Sequence, residues 1–109
     1  MTSIPEQLQP HLGSIFRVET TIGDIHLKLE EIDVRPRRGL PDNFPTPILL
    51  IFSGSGKTLL NQDNYIVNHS HLGQKIWLIA PVMPDFAKGQ HLQLHEDGSR
   101  CMFYQSYFC

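Results

Sequence analysis

Apolar residues occur along this chain in short runs separated by turn-forming residues, and this arrangement limits the possible folds more than any other property. Ile25, Leu27 and Leu29 alternate with polar residues, which is the period of a strand with one buried face. Ile48–Phe52 is continuously apolar and predicts the most buried strand. Because no convincing long helix accompanies these runs, the sequence predicts an all-β domain.

About seven short strands are predicted, and that spacing is typical of a small antiparallel barrel or a sandwich. A short helical turn is expected before them, within residues 6–12. The chain of 109 residues is long enough for one core, so we expect a single domain over residues 1–109. The predicted strands are Ile15–Thr20, Ile25–Val34, Ile48–Phe52, Tyr65–Val67, Lys75–Val82, His91–His95 and Arg100–Phe108.

Local patterns refine this prediction. The apolar phase of the second strand changes after Leu29, which predicts a β-bulge near Glu30 and Glu31, since one extra residue reverses the facing of every later side chain. The Asp97-Gly98 pair predicts a hairpin, because it tolerates positive φ. The strand Lys75–Val82 is apolar on both faces, so we expect both to be covered. The residues expected in the core also include Trp77, Phe103, Tyr104, Tyr107 and Phe108.

Gly54-Ser55-Gly56-Lys57-Thr58 follows the most buried strand and has part of the pattern of a phosphate-binding loop. Such a loop needs a glycine with four residues between it and Gly-Lys-Thr, and Ile51 stands there. It also needs a following helix, whose N-terminus binds the phosphates, whereas turn residues follow Lys57. We therefore predict a polar connection between two strands.

The titratable residues form no pattern specific to catalysis or metal binding. His69 and His71 supply two ligands where zinc sites need three or four, so a solvated turn is the simpler interpretation. Cys101 is expected to be a buried structural thiol, and both it and Cys109 to be reduced. With no nucleophile–base pair or carboxylate dyad, we predict a protein that is not an enzyme and uses no cofactor or metal.

The longest gap between predicted strands, Arg35–Pro47, contains four prolines and three arginines and predicts an irregular loop. Long structureless loops are uncommon in compact domains unless they are functional or disordered. Arginine clusters pair well with acidic surfaces. The candidate partner-binding residues are Arg35, Arg37, Arg38 and Phe44. A solvated loop without a partner is the alternative.

Charge and hydropathy exclude several classes of function. A net charge of -2 gives no general attraction to nucleic acid or to an anionic membrane. No apolar stretch approaches the ~20 residues of a membrane-spanning helix. The first residues lack the basic start and apolar centre of a signal peptide, so a soluble, cytoplasmic protein is expected.

Several segments, taken together, resemble a bacterial family of small all-β domains of unknown function, over nearly the whole chain. The resemblance implies a fold, and an accessory or assembly role beside proteins with phage-tail-collar-like domains. It does not extend to the Gly-Ser-Gly-Lys stretch or to the proline-rich loop. The segments that carry it are residues 8–18, 47–54, 60–65, 69–73 and 76–84.

We therefore expect a non-enzymatic protein-interaction or accessory protein, with a tail-like or fibre protein as its partner. Its contacts would be the Arg35–Pro47 loop and an aromatic or strand-edge patch, where strand addition is one route and homodimerisation another. The alternative is a small-ligand-binding barrel, with a cavity lined by Trp77 and tyrosines. A fully packed interior would argue against that alternative.

Overall fold

The computed structural model describes residues 8–34, 39, 47–84 and 86–108. Six antiparallel strands form a closed barrel in the order β1-β2-β3-β6-β5-β4, and β4 pairs back to β1. The prediction of an all-β fold is confirmed, and of its two forms the barrel is the one adopted. The strands are β1 (Ile15–Thr20), β2 (Gly23–Val34), β3 (Ile48–Gly54), β4 (Asp63–His69), β5 (Gly73–Val82) and β6 (Met102–Phe108).

The β-bulge predicted in the second strand is present. Leu29 pairs with Phe52, but the next paired residue of β2 is Glu31, opposite Ile51, so Glu30 is the extra residue. A bulge bends its strand and increases the local twist. The twelve-residue β2 can therefore pair with β1 through its first half and with β3 through its second.

Apolar side chains fill the barrel. The rings of Phe16, Phe52 and Trp77 lie with their centroids 5.5–6.4 Å apart. Leu8, from the N-terminal segment, is 2% exposed and belongs to the same cluster. The other members are Val18, Leu27, Leu29, Ile48, Leu50, Leu60, Val67, Ile79 and Tyr104. A barrel of eight strands is just wide enough for side chains to fill it, so a six-stranded barrel leaves less room still for a ligand.

The predicted strand His91–His95 is wrong, which reduces the number of strands to six. Gly89 adopts a φ of 71°, and the chain then makes a 3-10 helix at Gln90–Leu92. Leu94 forms only an isolated bridge with Arg100, next to the predicted turn at Gly98. The other helices in the described part are 3-10 turns at Gln9–His11 and Phe86–Lys88, and none of the three could cross a membrane.

The expectation that both faces of the fifth strand are covered is also wrong. Ile79 is 1% exposed in the barrel core, but Ile76 and Leu78 on the opposite face are 72% and 48% exposed. Of the terminal aromatics, Phe103 and Tyr104 are buried as expected, whereas Tyr107 is 54% exposed. Large apolar side chains therefore face solvent on the outside of the barrel.

Candidate interaction surface

The outside of the barrel has three faces of different character, and the first is charged. It is formed by β1 and β2, where Arg17 pairs with His26 across the strands and makes an ion pair of 3.5 Å with Asp24. Glu19 and Lys28 are also exposed on this face. Because its charges of both signs are solvated and partly paired, this face has the character of an ordinary soluble surface.

The second face is covered by the chain itself. The long connection between β5 and β6 runs over β2 and β3, and Lys88 Nζ donates to Glu31 Oε1 at 2.8 Å. Phe103 alternates with Tyr104, whose ring lies in the core, so the Phe103 side chain points outward, yet it is only 1% exposed. The outside of the barrel is therefore not solvated throughout: the connection is bonded to β2, and an outward-facing ring of β6 is buried.

The third face is apolar, and its side chains are largely exposed in the part of the chain that the structure describes. Ile66 of β4 lies directly opposite Ile76 of β5, and Leu78 follows two residues later on the same side of β5. Tyr107 of β6 lies close by, because the hydroxyl of its neighbour Ser106 donates to the carbonyl of Leu78 at 2.8 Å. We call these four residues, Ile66, Ile76, Leu78 and Tyr107, the apolar face; they are 38%, 72%, 48% and 54% exposed.

The rim of the apolar face is polar and includes one carboxylate, that of Glu19, which lies directly opposite Ile66 across β1 and β4. Asn64 lies opposite Leu78, and Asn68 lies opposite Gln74. Asn68 Nδ2 and Gln74 Nε2 both donate to Glu19 Oε2, at 2.8 and 3.4 Å, so the nearest carboxylate already has partners. An apolar centre that lacks charge, surrounded by hydrogen-bonding groups, is the usual anatomy of a protein–protein interface.

The partner-binding residues predicted from the sequence lie outside the described part of the chain. Arg35, Arg37, Arg38 and Phe44 are among them, and only Gly39 and Pro47 of that loop are described. The prediction for this loop therefore stays a prediction. Sequence reasoning missed the apolar face, because it placed Ile76 and Leu78 on a covered surface.

The Gly-Ser-Gly-Lys stretch is a structural connection, held by the turn that precedes β6. The Gly56 amide donates to the Ser99 hydroxyl at 2.9 Å, and the Lys57 amide donates to the Ser55 hydroxyl at 3.1 Å. The two hydroxyls in turn donate to the carboxylate of Asp97. These amides are the groups that would bind phosphate in a nucleotide loop, and here they already have partners within the protein.

The same turn brings together a serine, a histidine and an aspartate, but not in a catalytic order. Ser55 donates to Asp97, and His95 Nδ1 lies 3.4 Å from the same carboxylate. A nucleophilic serine needs the histidine, rather than the carboxylate, as its direct partner. Cys101 is no better placed, because burial and the nearby Glu30 raise the pKa of its thiol.

The surface clefts in the described part of the chain include two that are open to solvent. One, of about 440 Å³, lies between β2 and the turn before β6 and includes Glu30, Ser53 and Cys101. Ser53 Oγ donates to Glu30 Oε1 at 2.6 Å in this cleft. The other, of about 470 Å³, lies at one end of the barrel beside the exposed Ile22 and Leu59. Neither cleft would enclose most of the surface of a bound ligand, as small-molecule sites do.

Three histidines lie close together at the opposite end of β1 from this second cleft. The ring centroid of His11 lies 4.5 Å from that of His69 and 5.5 Å from that of His71. His69 is only 8% exposed, so the expectation of a solvated turn is wrong for this residue. Sequence reasoning paired His69 with His71 and missed His11, since no local pattern predicts a contact between segments this far apart.

Both nitrogens of His69 already have partners. Its Nδ1 accepts from the amides of His71 and Leu72, at 3.1 and 3.3 Å, and its Nε2 lies 3.0 Å from Ser14 Oγ. The described side chains form no group of three or more histidines, cysteines or carboxylates able to hold a metal ion. The histidine cluster is therefore interpreted as a structural contact between the N-terminal segment and the β4–β5 turn.

Comparison with known proteins identifies a family whose function is unknown. A family model described as Domain of unknown function (DUF6916) matches residues 4–103. No curated protein gives a significant match, and neither does any solved structure. The function must therefore be inferred from the residues themselves.

Proposed function

Because the chain belongs to the DUF6916 family of domains of unknown function, we propose from its own surface that it is a non-enzymatic protein-binding domain. Its binding site is the apolar face on β4, β5 and β6. The observation that supports this is the exposure of Ile76, Leu78 and Tyr107, each about half or more solvent-accessible, on neighbouring strands. Contiguous exposed apolar patches on small proteins mark interaction sites more often than chance.

The partner that suits this face is a β-rich protein with an apolar sheet face of its own. The apolar face lies on strands, so it is flat, and flat sheets bury such faces by packing against each other about 10 Å apart. An accessory role beside a bacterial tail-like or fibre protein in the cytoplasm fits this geometry. The net charge of -2 and the Glu19 carboxylate at the rim offer little electrostatic attraction to nucleic acid.

Sheet-face docking is a better route than the strand addition expected from the sequence. Each of the six strands has a neighbour on both sides in the closed barrel. Strand addition needs a free edge, and closure of a barrel removes edges. The ligand-binding alternative is less favoured, because the rings of Phe16, Phe52 and Trp77 occupy the interior.

A matched pair of charge substitutions tests the proposal. Ile76→Lys places a charge in the apolar face, and His26→Lys places the same charge at an exposed strand position on the charged face. Tagged wild-type and variant domains are used to recover bound proteins from extracts of the producing cells, and each recovered protein is quantified. We expect Ile76→Lys to reduce one protein by at least about tenfold, since burying an unpaired charge costs more than 1.4 kcal/mol, and His26→Lys to leave it unchanged.

Self-association is checked with the purified domains. If sedimentation velocity shows a wild-type dimer that Ile76→Lys dissociates, the apolar face binds a second copy and the proposed partner is wrong. Equal recovery of every protein by the two variants would contradict the proposed site altogether. Equal melting temperatures of the variants ensure that a loss of binding is not a loss of folding.

A further inference from the structure

His69 links two parts of the molecule that would otherwise be joined only weakly. It ends β4, and its Nδ1 accepts from both amides of the following turn, at His71 and Leu72. Because Nδ1 accepts, the ring is neutral and its proton is on Nε2, which donates to Ser14 Oγ at 3.0 Å. The Ser14 hydroxyl in turn donates to the His11 carbonyl at 2.5 Å.

The N-terminal segment that His69 contacts is anchored to the barrel on both sides of its 3-10 turn. Leu8 is 2% exposed in the core, and the 3-10 turn Gln9–His11 follows it directly. Beyond the turn, the segment is fixed to β2 by two backbone bonds, Gly13 to Leu29 at 2.7 Å and Leu29 to Ser14 at 3.0 Å. Between Leu8 and Gly13, the contacts of His11 with His69 and His71 hold the turn in place.

We propose that His69 is an acid-sensitive latch: its neutral ring holds the β4–β5 turn through the amides of His71 and Leu72, and its protonation releases that turn. Protonated Nδ1 becomes a donor that faces two amide donors, so both bonds to the turn at His71 and Leu72 are lost. The Nε2 bond to Ser14 survives protonation, so the change is confined to the turn, whose Leu72 side chain packs against the barrel core. This inference is independent of the proposed partner.

No described neighbour can compensate a positive charge on this ring. The titratable groups that face His69 are His11 from the N-terminal segment and His71 from the β4–β5 turn. Arg17 of β1 and His26 of β2 line the adjoining groove. All four are cationic when charged. Burial, His11 and His71 accordingly lower the pKa of His69.

The pH range over which the latch opens follows from the lowered pKa of His69. A histidine with a lower pKa in the closed state than in the open state binds more protons when open. The latch is therefore closed above the ordinary histidine pKa of about 6.5 and opens as the pH falls below it. The opening equilibrium increases by up to about tenfold for each pH unit between the pKa of the open state and that of the closed state.

NMR spectroscopy of the full chain between about pH 8 and pH 4.5 tests the latch, since this range spans the ordinary histidine pKa. We expect the His69 ring to titrate below the ordinary value. Hydrogen exchange, corrected for its intrinsic pH dependence, should lose protection at His71 and Leu72 while the Tyr104 amide of β6 stays protected. Titration of His69 at or above the ordinary value would overturn the proposal, as would loss of protection over the whole barrel at once.

Three variants separate a latch from a merely structural histidine. His69→Asn keeps an acceptor oxygen near the position of Nδ1 but cannot be protonated, so it should abolish the acid-induced loss of protection at Leu72. His71→Gln removes a neighbour that lowers the pKa of His69 and should move the midpoint to higher pH. His91→Gln, at a histidine outside the cluster, should change neither the acid-induced loss of protection nor its pH midpoint. If His69→Asn does not fold, the direction of the midpoint shift in His71→Gln decides: no shift, or a shift to lower pH, refutes the latch.

Discussion

Asp97 holds together two loops that are distant in sequence. Its carboxylate accepts from the hydroxyl of Ser55, in the β3–β4 connection, and from the hydroxyl and amide of Ser99, at 2.6 and 3.0 Å. Hydrogen bonds to a carboxylate favour its charged form. The bonds from Ser55 and Ser99 therefore hold the pKa of Asp97 well below its usual range.

The depressed pKa of Asp97 predicts an acid-dependent stability. The unfolded chain binds the proton more readily than the folded one, so the contribution of Asp97 is complete above the ordinary pKa of about 4 and is lost as the pH falls below it. Asp97→Asn should therefore lower the melting temperature at neutral pH, and the difference from wild type should shrink by about pH 3. Thermal unfolding followed by circular dichroism measures this, with Glu96→Gln as the control. A difference that does not change with pH would contradict the assignment.

Gly56 is required because the backbone approaches it closely. A Cβ atom at this position would overlap the carbonyl oxygen of Arg100. Backbone cannot move as a flexible side chain can, so Gly56→Ala should destabilise the protein by about 1–3 kcal/mol. Lys57→Ala, at the exposed neighbouring position, should stay within about 0.5 kcal/mol of wild type. Urea denaturation compares the two, and equal stabilities would show that this loop is not packed as described.

The hydroxyl of Tyr104 has a structural function in the core. It accepts from the Leu60 amide at 3.2 Å in a buried position. Tyr104→Phe leaves that amide without an acceptor and should cost about 1–3 kcal/mol. Tyr65→Phe is the matched control, because its hydroxyl donates to the Asn61 carbonyl at an exposed position. Should the two variants lose equal stability in denaturant titrations, the Tyr104 bond is not buried.

Among the strands, the alternation of apolar residues was sufficient to predict β1 and the bulge of β2. The bounds of β1 are those predicted, Ile15–Thr20, and the bulge lies where the apolar phase changes. These features depend on near neighbours in the chain, so the local pattern contains them. The predicted strand His91–His95 failed because its apolar residues alternate in a segment that lies on the outside of the barrel, where Leu92 and Leu94 are 70% and 67% exposed.

The facing of β5 could not be predicted, since both of its faces are apolar in sequence. The structure assigns Ile79 to the core and Ile76 to the outside. Ile79→Ala should therefore cost about 2–5 kcal/mol through the lost packing, whereas Ile76→Ala should change stability by less than about 0.5 kcal/mol. Guanidinium denaturation of both variants tests the assignment. Similar losses in the two would mean that the apolar face is covered.

For the molecule as a whole, closure of the barrel depends on pairs that are far apart in sequence. β1 pairs with β4, and β3 pairs with β6. Local patterns do not predict such pairs, which is why the sequence could not distinguish a barrel from a sandwich. The histidine contact between Ser14 and His69 spans 55 residues and was missed for the same reason.

Closure also explains how the outer surface is divided. The connection between β5 and β6 covers the outside of β2 and β3, while β1 and β2 expose charged residues. The remaining side, on β4, β5 and the end of β6, presents the four exposed side chains of the apolar face on neighbouring strands. Binding by this side is the claim on which the proposed function depends.

Site-specific photo-crosslinking in the producing cells tests that claim most directly. A photoreactive residue replaces Ile76 in one variant and His26 in the other, and the crosslinked peptides are identified by mass spectrometry. We predict that the Ile76 variant alone captures a discrete protein, through a segment of alternating apolar residues in a β-rich domain. Equal labelling from both positions, or no crosslink from Ile76 at normal expression, would contradict the account.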